Sequence, residues 1–100
     1  MRYTELGKTG INASVISFGG IPIQRVSSEE AVEILFACKD GGINFIDTAR
    51  LYTDSEEKIG QYFKSHSRED WYVASKSPAR DRDGMLKDLA KSIESMACDY

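Results

Sequence analysis

The sequence has few residues of the types that hold metals, form disulfides or bind nucleic acid. Its 100 residues include one histidine, His66, and two cysteines, Cys38 and Cys98. The cysteines are far apart and have no second ligand nearby, so we expect two reduced, partly buried thiols and no metal site. His66 lies where a helix is predicted to end, and there it complements the helix dipole without a catalytic partner. A net charge of −3 argues against nucleic acid or anionic lipid as a partner.

Long apolar runs are also missing. No stretch approaches the length that a membrane span needs, and the opening MRYTELGKTG has no apolar signal-peptide core. We therefore expect a cytoplasmic protein without a membrane partner. A composition of 41% hydrophobic and 29% charged residues is typical of a globular protein. There is no linker or low-complexity tract, which predicts one domain over residues 1–100.

What the sequence does contain is an alternation of strands and helices. The predicted strands begin at Ile16, Ile43 and Trp71, at intervals of 27 and 28 residues. Such a cadence indicates successive right-handed βαβ units and a parallel sheet. A doubly wound sheet and a (β/α)₈ barrel both fit. The barrel is favoured because eight such intervals give its usual ~250 residues. We therefore predict an incomplete α/β barrel, with three βα units over 16–98 and a fourth strand starting at 99–100.

Each predicted helix follows one of these strands. The first has Ser27 and Glu30 in capping-box spacing, and an apolar stripe follows them. The second has the same spacing between Asp54 and Glu57, which predicts a second capping box. This helix is expected to bury Ile59, Tyr62 and Phe63. The third is predicted at about 83–96, with one apolar face formed by Leu86, Leu89, Ile93 and Met96.

The first fifteen residues do not fit the repeat. Two short segments, Tyr3–Leu6 and Asn12–Val15, flank the sequence GKTG, which predicts a β-hairpin over 1–15. A turn is strongly favoured over a phosphate-binding P-loop, because that motif needs a glycine five positions before Gly7, where Arg2 stands. The hairpin is expected to cover the amino-terminal mouth of the barrel.

Two charged side chains close consecutive predicted strands. Asp47 ends the second strand, Lys76 ends the third, and Tyr52 follows on the loop after Asp47. Active sites of parallel barrels lie at the carboxyl ends of strands, and neighbouring strands are about 4.8 Å apart, so the carboxylate and the ammonium can meet. A positive charge beside a phenol favours loss of its proton. The pattern predicts that Tyr52 exchanges a proton with a substrate oxygen, beside a Lys76 that Asp47 holds in place.

Each of these residues also has a structural interpretation. Asp47 could bond loop amides, Tyr52 could pack in the core, and Lys76 could be an exposed charge. Their grouping on consecutive strand ends favours catalysis. Gly19 and Gly20 end the first strand at the same edge, where they would admit a flat ring close to the backbone or simply form a turn.

Three segments resemble the opening third of an aldo-keto reductase: RYTELGKTGINASVISFGG, GGINFIDTARLYTDSEEKIG and VASKS. The likeness covers essentially the whole chain, and the NFIDTA…Y…SE…IG pattern is specific to that family rather than to barrels in general. The resemblance implies a barrel enzyme that transfers a hydride between NADPH and a carbonyl substrate with a tetrad of Asp, Tyr, Lys and His. It assigns Asp47, Tyr52 and Lys76 to three tetrad positions, with Tyr52 as the proton donor.

The resemblance also implies where the cofactor lies. Gly19, Gly20 and Ile21 match the strand-end stretch beside the nicotinamide, which Asp47 also borders. No G-x-G-x-x-G motif is present, and the family does not use one. The tetrad histidine is expected within about ten residues after Tyr100, at the end of the fourth strand. The family's main contacts to the rest of NADPH come from later strands, so we expect the 100 residues alone to be inactive.

Two other classes stay open at this point. A non-catalytic binding or regulatory subunit of this fold, such as a channel-associated β subunit, would keep Asp47, Tyr52 and Lys76. A different barrel enzyme, a lyase or isomerase, would use Lys76 to form a Schiff base. The stretch ASKSPARDRDGMLKDL more loosely resembles a bacterial subgroup with a ferredoxin-like C-terminal extension.

Overall fold

The computed structural model describes all residues from Met1 to Tyr100 as two sheets and three α-helices. One sheet is an antiparallel pair and the other has three parallel strands. The strands are β1 (Tyr3–Glu5), β2 (Asn12–Ser14), β3 (Phe18–Gly19), β4 (Phe45–Asp47) and β5 (Tyr72–Ala74). The helices are α1 (Ser28–Asp40), α2 (Ser55–Phe63) and α3 (Arg82–Ser95), with 3₁₀ turns at Pro22–Arg25 and Arg68–Asp70. The predicted alternation of strands and helices is confirmed.

The hairpin forms because glycines occupy the positions that need a left-handed backbone. β1 and β2 pair with Tyr3 opposite Ser14. Gly7 and Gly10 have φ values of 61° and 75°, which glycine adopts without steric cost. Asn44, just before β4, accepts a hydrogen bond from Ser14 N at 2.7 Å. The predicted hairpin is therefore confirmed, and it is tied to the amino-terminal end of the parallel sheet.

The parallel sheet has the strand order β3-β4-β5, which is also the order of the chain. Phe18 pairs with Ile46, and Ile46 pairs with Val73. Ile46 on the central strand is fully buried. The third strand was predicted to end at Lys76, but β5 ends at Ala74, so Lys76 lies two residues beyond it. The chain provides three adjacent parallel strands, which is an incomplete barrel.

α1 begins with the predicted capping box. Ser27 Oγ accepts from Glu30 N at 3.1 Å, and Ser27 N donates to the Glu30 carboxylate at 2.9 Å. Ala31 and Leu35 of the predicted stripe are fully buried, and Cys38 packs at the edge of the same core. Both cysteines of the chain are free thiols, as predicted.

The predicted capping box between Asp54 and Glu57 is wrong. Asp54 makes no capping hydrogen bond, and its carboxylate pairs instead with Lys58 Nζ at 2.9 Å. The backbone of Asp54 has φ −111° and ψ 16°, which differs from the extended conformation that brings an N-cap side chain to the N3 amide. The helix therefore starts at the predicted place without the predicted cap.

α2 supplies much of the hydrophobic core. Ile59, Tyr62 and Phe63 are buried, as predicted, and Tyr62 meets Trp71 edge to face with ring centroids 6.0 Å apart. His66 follows the helix, and its ring stacks on Tyr62 at 4.2 Å. Its Nδ1 lies 3.2 Å from the Tyr62 carbonyl oxygen, so His66 sits at the helix C-terminus as predicted.

α3 packs less completely than the other two helices. Asp81 caps it by accepting from Gly84 N at 2.6 Å. On its predicted apolar face Met96 is buried, whereas Leu86 and Leu89 are about half exposed. No further strand follows α3, so the predicted fourth strand stays a prediction. None of the three helices combines the length and the apolar character that a membrane span requires.

Candidate active site

The carboxyl ends of the three parallel strands form one rim. Gly19 stands opposite Asp47, and Asp47 stands opposite Ala74. The pairing continues just beyond the strands, because Gly20 N donates to Asp47 O and Thr48 N donates to Ala74 O, both at 2.8 Å. This edge is where parallel barrels carry their active-site groups.

Asp47 and Lys76 form an ion pair on this rim. Lys76 Nζ donates to Asp47 Oδ1 at 2.7 Å, and each side chain is about half exposed. The backbone fixes Lys76 although it lies beyond β5, because Arg50 N donates to Lys76 O at 2.9 Å. The carboxylate and the ammonium therefore meet as the strand-end pattern predicts.

Tyr52 lies half-buried on the loop between β4 and α2, next to this ion pair. Lys76 Nζ is 5.4 Å from the centroid of the Tyr52 ring, within the range of a cation–π interaction. Two backbone bonds hold the turn: Tyr52 N donates to Ala49 O at 3.1 Å, and Ser55 N donates to Tyr52 O at 2.8 Å. The three side chains that the sequence predicts to be catalytic, those of Asp47, Tyr52 and Lys76, therefore lie next to one another.

The same loop contains a strained residue. Thr53 has a φ of 42°, a left-handed conformation that is uncommon for a β-branched residue. Its hydroxyl donates to the side-chain oxygen of Gln24 at 2.7 Å, which links the loop to the 3₁₀ turn after β3. Strain of this kind persists where surrounding contacts enforce it, and it is common near functional sites.

The surroundings of Lys76 keep its ammonium charged. The hydrogen bond to Asp47 is the largest influence and raises the pKa of Lys76 above its usual 10.5. Partial desolvation opposes this rise, and the charge of Asp47 and the hydroxyl of Tyr52 add to it. A charged ammonium beside a phenol stabilises the phenolate that is left when the phenol gives up its proton. The arrangement can therefore deliver a proton to an oxygen at the rim.

Gly19, Gly20 and Ile21, the residues predicted to lie beside a nicotinamide ring, differ in how much space surrounds them. A side chain at Gly19 would meet nothing within 4 Å, and Ile21 is half exposed, so both border open space. Gly20 is buried, and a Cβ there would lie 2.6 Å from Ser55 Oγ and 2.9 Å from Thr48 Oγ1. Gly19 and Ile21 leave room at the rim that a flat ring could occupy. Gly20 instead makes room for the two hydroxyls, which hydrogen-bond each other at 2.8 Å.

A buried polar cluster next to the rim was not predicted. Glu56 of α2 is only 2% exposed. Its Oε1 accepts from Ser75 Oγ and Ser92 Oγ at 2.7 Å each, and its Oε2 pairs with Arg50 Nη1. One sequence signal could have found it. Glu56 lies three residues before Ile59 on the core-facing stripe of α2, where an apolar residue is expected.

The strand order and the residues of the rim define a class of protein. The chain belongs to the aldo/keto reductase family, whose family model matches residues 15–100.

Individual relatives support the same placement. The aldo-keto reductase YhdN of Bacillus subtilis is 28% identical over 118 aligned positions, which cover 100% of this chain and 36% of that protein. A protein of Oryza sativa with the name "Probable voltage-gated potassium channel subunit beta" is 34% identical over 115 positions, covering 100% and 35%. The solved structure of a thermostable aldo-keto reductase, Tm1743, gives a TM-score of 0.89 at 33% identity, covering 100% and 40%. The matched region thus covers about a third or less of the length of the curated relatives.

Proposed function

We propose that this chain supplies the catalytic acid of an NADPH-dependent reductase of small aldehydes or ketones. The observation that carries the proposal is the 2.7 Å bond from Lys76 Nζ to Asp47 Oδ1 beside Tyr52, at the carboxyl ends of β4 and β5. Membership of the aldo/keto reductase family supports an oxidoreductase.

Each of the three side chains has a separate task in this proposal. NADPH, when bound, supplies a hydride to the carbonyl carbon, and the carbonyl oxygen then needs a proton to complete the alcohol. Tyr52 donates that proton from its hydroxyl. Lys76 stabilises the phenolate that remains, and Asp47 keeps Lys76 charged and in place. The fourth tetrad member, a histidine, is proposed to lie outside this chain and to hydrogen-bond the same oxygen.

The cofactor would lie with its nicotinamide against Gly19 and Ile21, next to Asp47. Open space at Gly19 supports this position. We assign Gly20 an indirect role, because its missing side chain admits Ser55 and Thr48. The proposed setting is the cytoplasm, without nucleic acid or membrane as a partner, in keeping with a net charge of −3.

We further propose that residues 1–100 alone do not turn over. β3 and β5 are both edge strands, and apolar side chains such as Ile16 and Leu51 are exposed. Exposed edges and apolar patches favour association. Size-exclusion chromatography with light scattering should find oligomers, and NADPH oxidation with aldehydes should be absent. A monomeric and active 100-residue protein would contradict this part of the proposal.

The catalytic test needs a complete barrel. One can be made by fusing residues 1–100 to the part of the Bacillus subtilis relative that the chain does not cover. In this fusion Tyr52→Phe removes only the acidic proton, so hydride transfer should fall by ~10²–10⁴-fold while NADPH binding is kept. Stopped-flow absorbance measures the transfer, and the change in NADPH fluorescence on titration with the protein measures the binding.

Tyr72→Phe is the matched control. Tyr72 opens β5 at the opposite end of the sheet, with its side chain exposed. Its loss of a hydroxyl should leave hydride transfer unchanged. Equal rates for Tyr52→Phe and the unmodified fusion would remove Tyr52 from the mechanism.

A second candidate function is that of an auxiliary channel subunit. The rice relative named as a potassium channel subunit beta is 34% identical and aligns with the whole chain, which favours this candidate. Co-expression of the fusion with a voltage-gated potassium channel, followed by purification in detergent, tests it. An auxiliary role predicts co-purification that Tyr52→Phe does not weaken, together with no turnover.

The Schiff-base alternative is disfavoured by the state of Lys76. A nucleophilic lysine must be neutral, whereas Asp47 raises the pKa of Lys76. Borohydride with a carbonyl substrate should therefore leave Lys76 unmodified, and a trapped adduct at Lys76 would restore the alternative.

A further inference from the structure

The most deeply buried carboxylate of the chain belongs to Glu56, and it joins three separate segments. Glu56 itself stands in the first turn of α2. It accepts one hydrogen bond from Ser75, which follows β5, and one from Ser92 of α3. Its second oxygen pairs with Arg50, on the loop after β4. Every oxygen of this carboxylate is thus bonded, which is what its burial requires.

Two of these partners sit beside residues of the rim. Arg50 is two residues before Tyr52, and Ser75 directly precedes Lys76. The backbones of the same two segments are joined, because Arg50 N donates to Lys76 O at 2.9 Å. Glu56 therefore connects the two segments that carry the proton donor and the ammonium.

We propose that Glu56 is a positioning residue, whose buried carboxylate sets the distance between Tyr52 and Lys76 through Arg50 and Ser75. Glu56 is buried, so it acts through its partners and not on substrate. The link to carbonyl reduction rests on the proposed function, whereas the effect on the two segments does not depend on it.

The charge of Glu56 is what this role needs. Glu56→Gln keeps an oxygen for the two serine hydroxyls but places an amide against Arg50. The guanidinium is about one-fifth exposed and would lose its charged partner. Hydrogen bonds to charged groups contribute roughly 1.5–3 kcal/mol, which corresponds to a ten- to hundredfold change in a local opening equilibrium. The loop should therefore open locally by about that factor.

Hydrogen exchange on the fusion described above, in which the barrel is complete, measures this opening. In Glu56→Gln the Arg50 amide should exchange roughly ten- to hundredfold faster than in the unmodified chain. The Thr48 amide, which donates to Ala74 O at 2.8 Å in the same sheet, should not change. Glu57→Gln is the matched control, because Glu57 is the next residue of α2 and its side chain is exposed. It should alter neither amide.

The outcomes separate positioning from general stabilisation. If hydrogen exchange of the Arg50 and Thr48 amides becomes faster by the same factor, Glu56 is an ordinary core residue and the proposal is overturned. The proposal is also overturned if neither amide exchanges faster. If Glu56→Gln does not fold, Ser75→Ala removes only the neutral contact beside Lys76. That variant should still speed exchange of the Arg50 amide, and an unchanged rate would count against the proposal.

Activity gives an independent readout. In the fusion described above, Glu56→Gln should lower kcat roughly tenfold or more and leave the KM for NADPH unchanged, since Glu56 does not border the cofactor. If the fusion is active and Glu56→Gln leaves its kcat unchanged, the proposed positioning role of Glu56 is refuted. If the unmodified fusion is inactive, the proposed function fails, and the exchange experiment alone decides the role of Glu56.

Discussion

Adjacent glycines on the rim should respond oppositely to the same substitution. At Gly20 a methyl group would lie 2.6 Å from Ser55 Oγ and 2.9 Å from Thr48 Oγ1, well inside van der Waals contact. Both hydroxyls are fully buried and bonded to each other, so neither can move into solvent. At Gly19 the same methyl would meet nothing within 4 Å.

The magnitudes follow from these contacts. Overpacking a tight site costs about 1–3 kcal/mol, and parting two buried hydroxyls costs a similar amount. We therefore expect Gly20→Ala to lower the free energy of unfolding by about 1–3 kcal/mol. Gly19→Ala should be neutral, or more stable by up to about 1 kcal/mol, because alanine restricts the unfolded chain.

Thermal unfolding followed by Trp71 fluorescence can measure both variants. Trp71 is the single tryptophan and is buried, so its emission reports the core. Each kcal/mol should move Tm by roughly 4–8 °C in a domain of this size. In the fusion the ranking should reverse for NADPH, because the methyl at Gly19 enters the proposed nicotinamide site while that at Gly20 points into the protein. A Gly20→Ala protein as stable as the original would refute this reasoning, and so would a Gly19→Ala protein that loses 1 kcal/mol or more.

Three further predictions concern packing and ionisation. Gly60→Ala adds roughly 1 kcal/mol of helix propensity, yet its methyl group would collide with the carbonyl oxygen of Ser95. Thermal unfolding should therefore show a net decrease of about 1–3 kcal/mol in the free energy of unfolding, and a stabilised variant would contradict this contact. Burial raises the pKa of the Cys38 thiol above its usual 9.0, so iodoacetamide at pH 8 should modify Cys38 more slowly in the folded chain than in urea, and equal rates would argue against the burial. The contribution of this neutral thiol to the free energy of unfolding is fully present below pH 9.0 and is lost as the pH rises through the pKa of Cys38 in the folded chain. In an NMR titration, Asp47→Asn should bring the pKa of Lys76 down towards 10.5, and an unchanged pKa would show that Asp47 is not the cause of the rise. The stabilisation by the Asp47–Lys76 pair is present below pH 10.5 and disappears as the pH rises through the raised pKa of Lys76 in the folded chain.

Features that depend on near neighbours in sequence were predicted well. Ser27 and Glu30 cap α1 because both hydrogen bonds lie within one turn and need only the right local backbone. The meeting of Asp47 and Lys76 was also predicted, although they are 29 residues apart. It follows from parallel strands alone, since their carboxyl ends meet at one edge whatever the helix between them contains.

Features that depend on which distant side chains compete for the same polar group were not predicted. Asp54 has the spacing of a capping residue, but Lys58 takes its carboxylate, and Lys58 also donates to the carbonyl of Ile23 at 2.9 Å. The partners of Glu56 come from positions 6, 19 and 36 residues away, so no local pattern links them. Which polar groups share a buried site depends on how helices pack over the sheet, and a single sequence does not record that packing.

The order of the strands has a consequence for how this chain folds during its synthesis. In the β3-β4-β5 sheet, β4 pairs with β3 and β5 pairs with β4, so each of these two strands pairs with the strand made immediately before it. A ribosome adds roughly 5–20 residues per second, so β4 leaves the ribosome a few seconds after β3 and finds its neighbour already outside. Each pairing closes a loop of only one strand–helix unit, and the entropy of loop closure grows slowly with length. β4 and β5 each meet a partner that has already been translated, so these two pairings can form one after the other in the direction of translation.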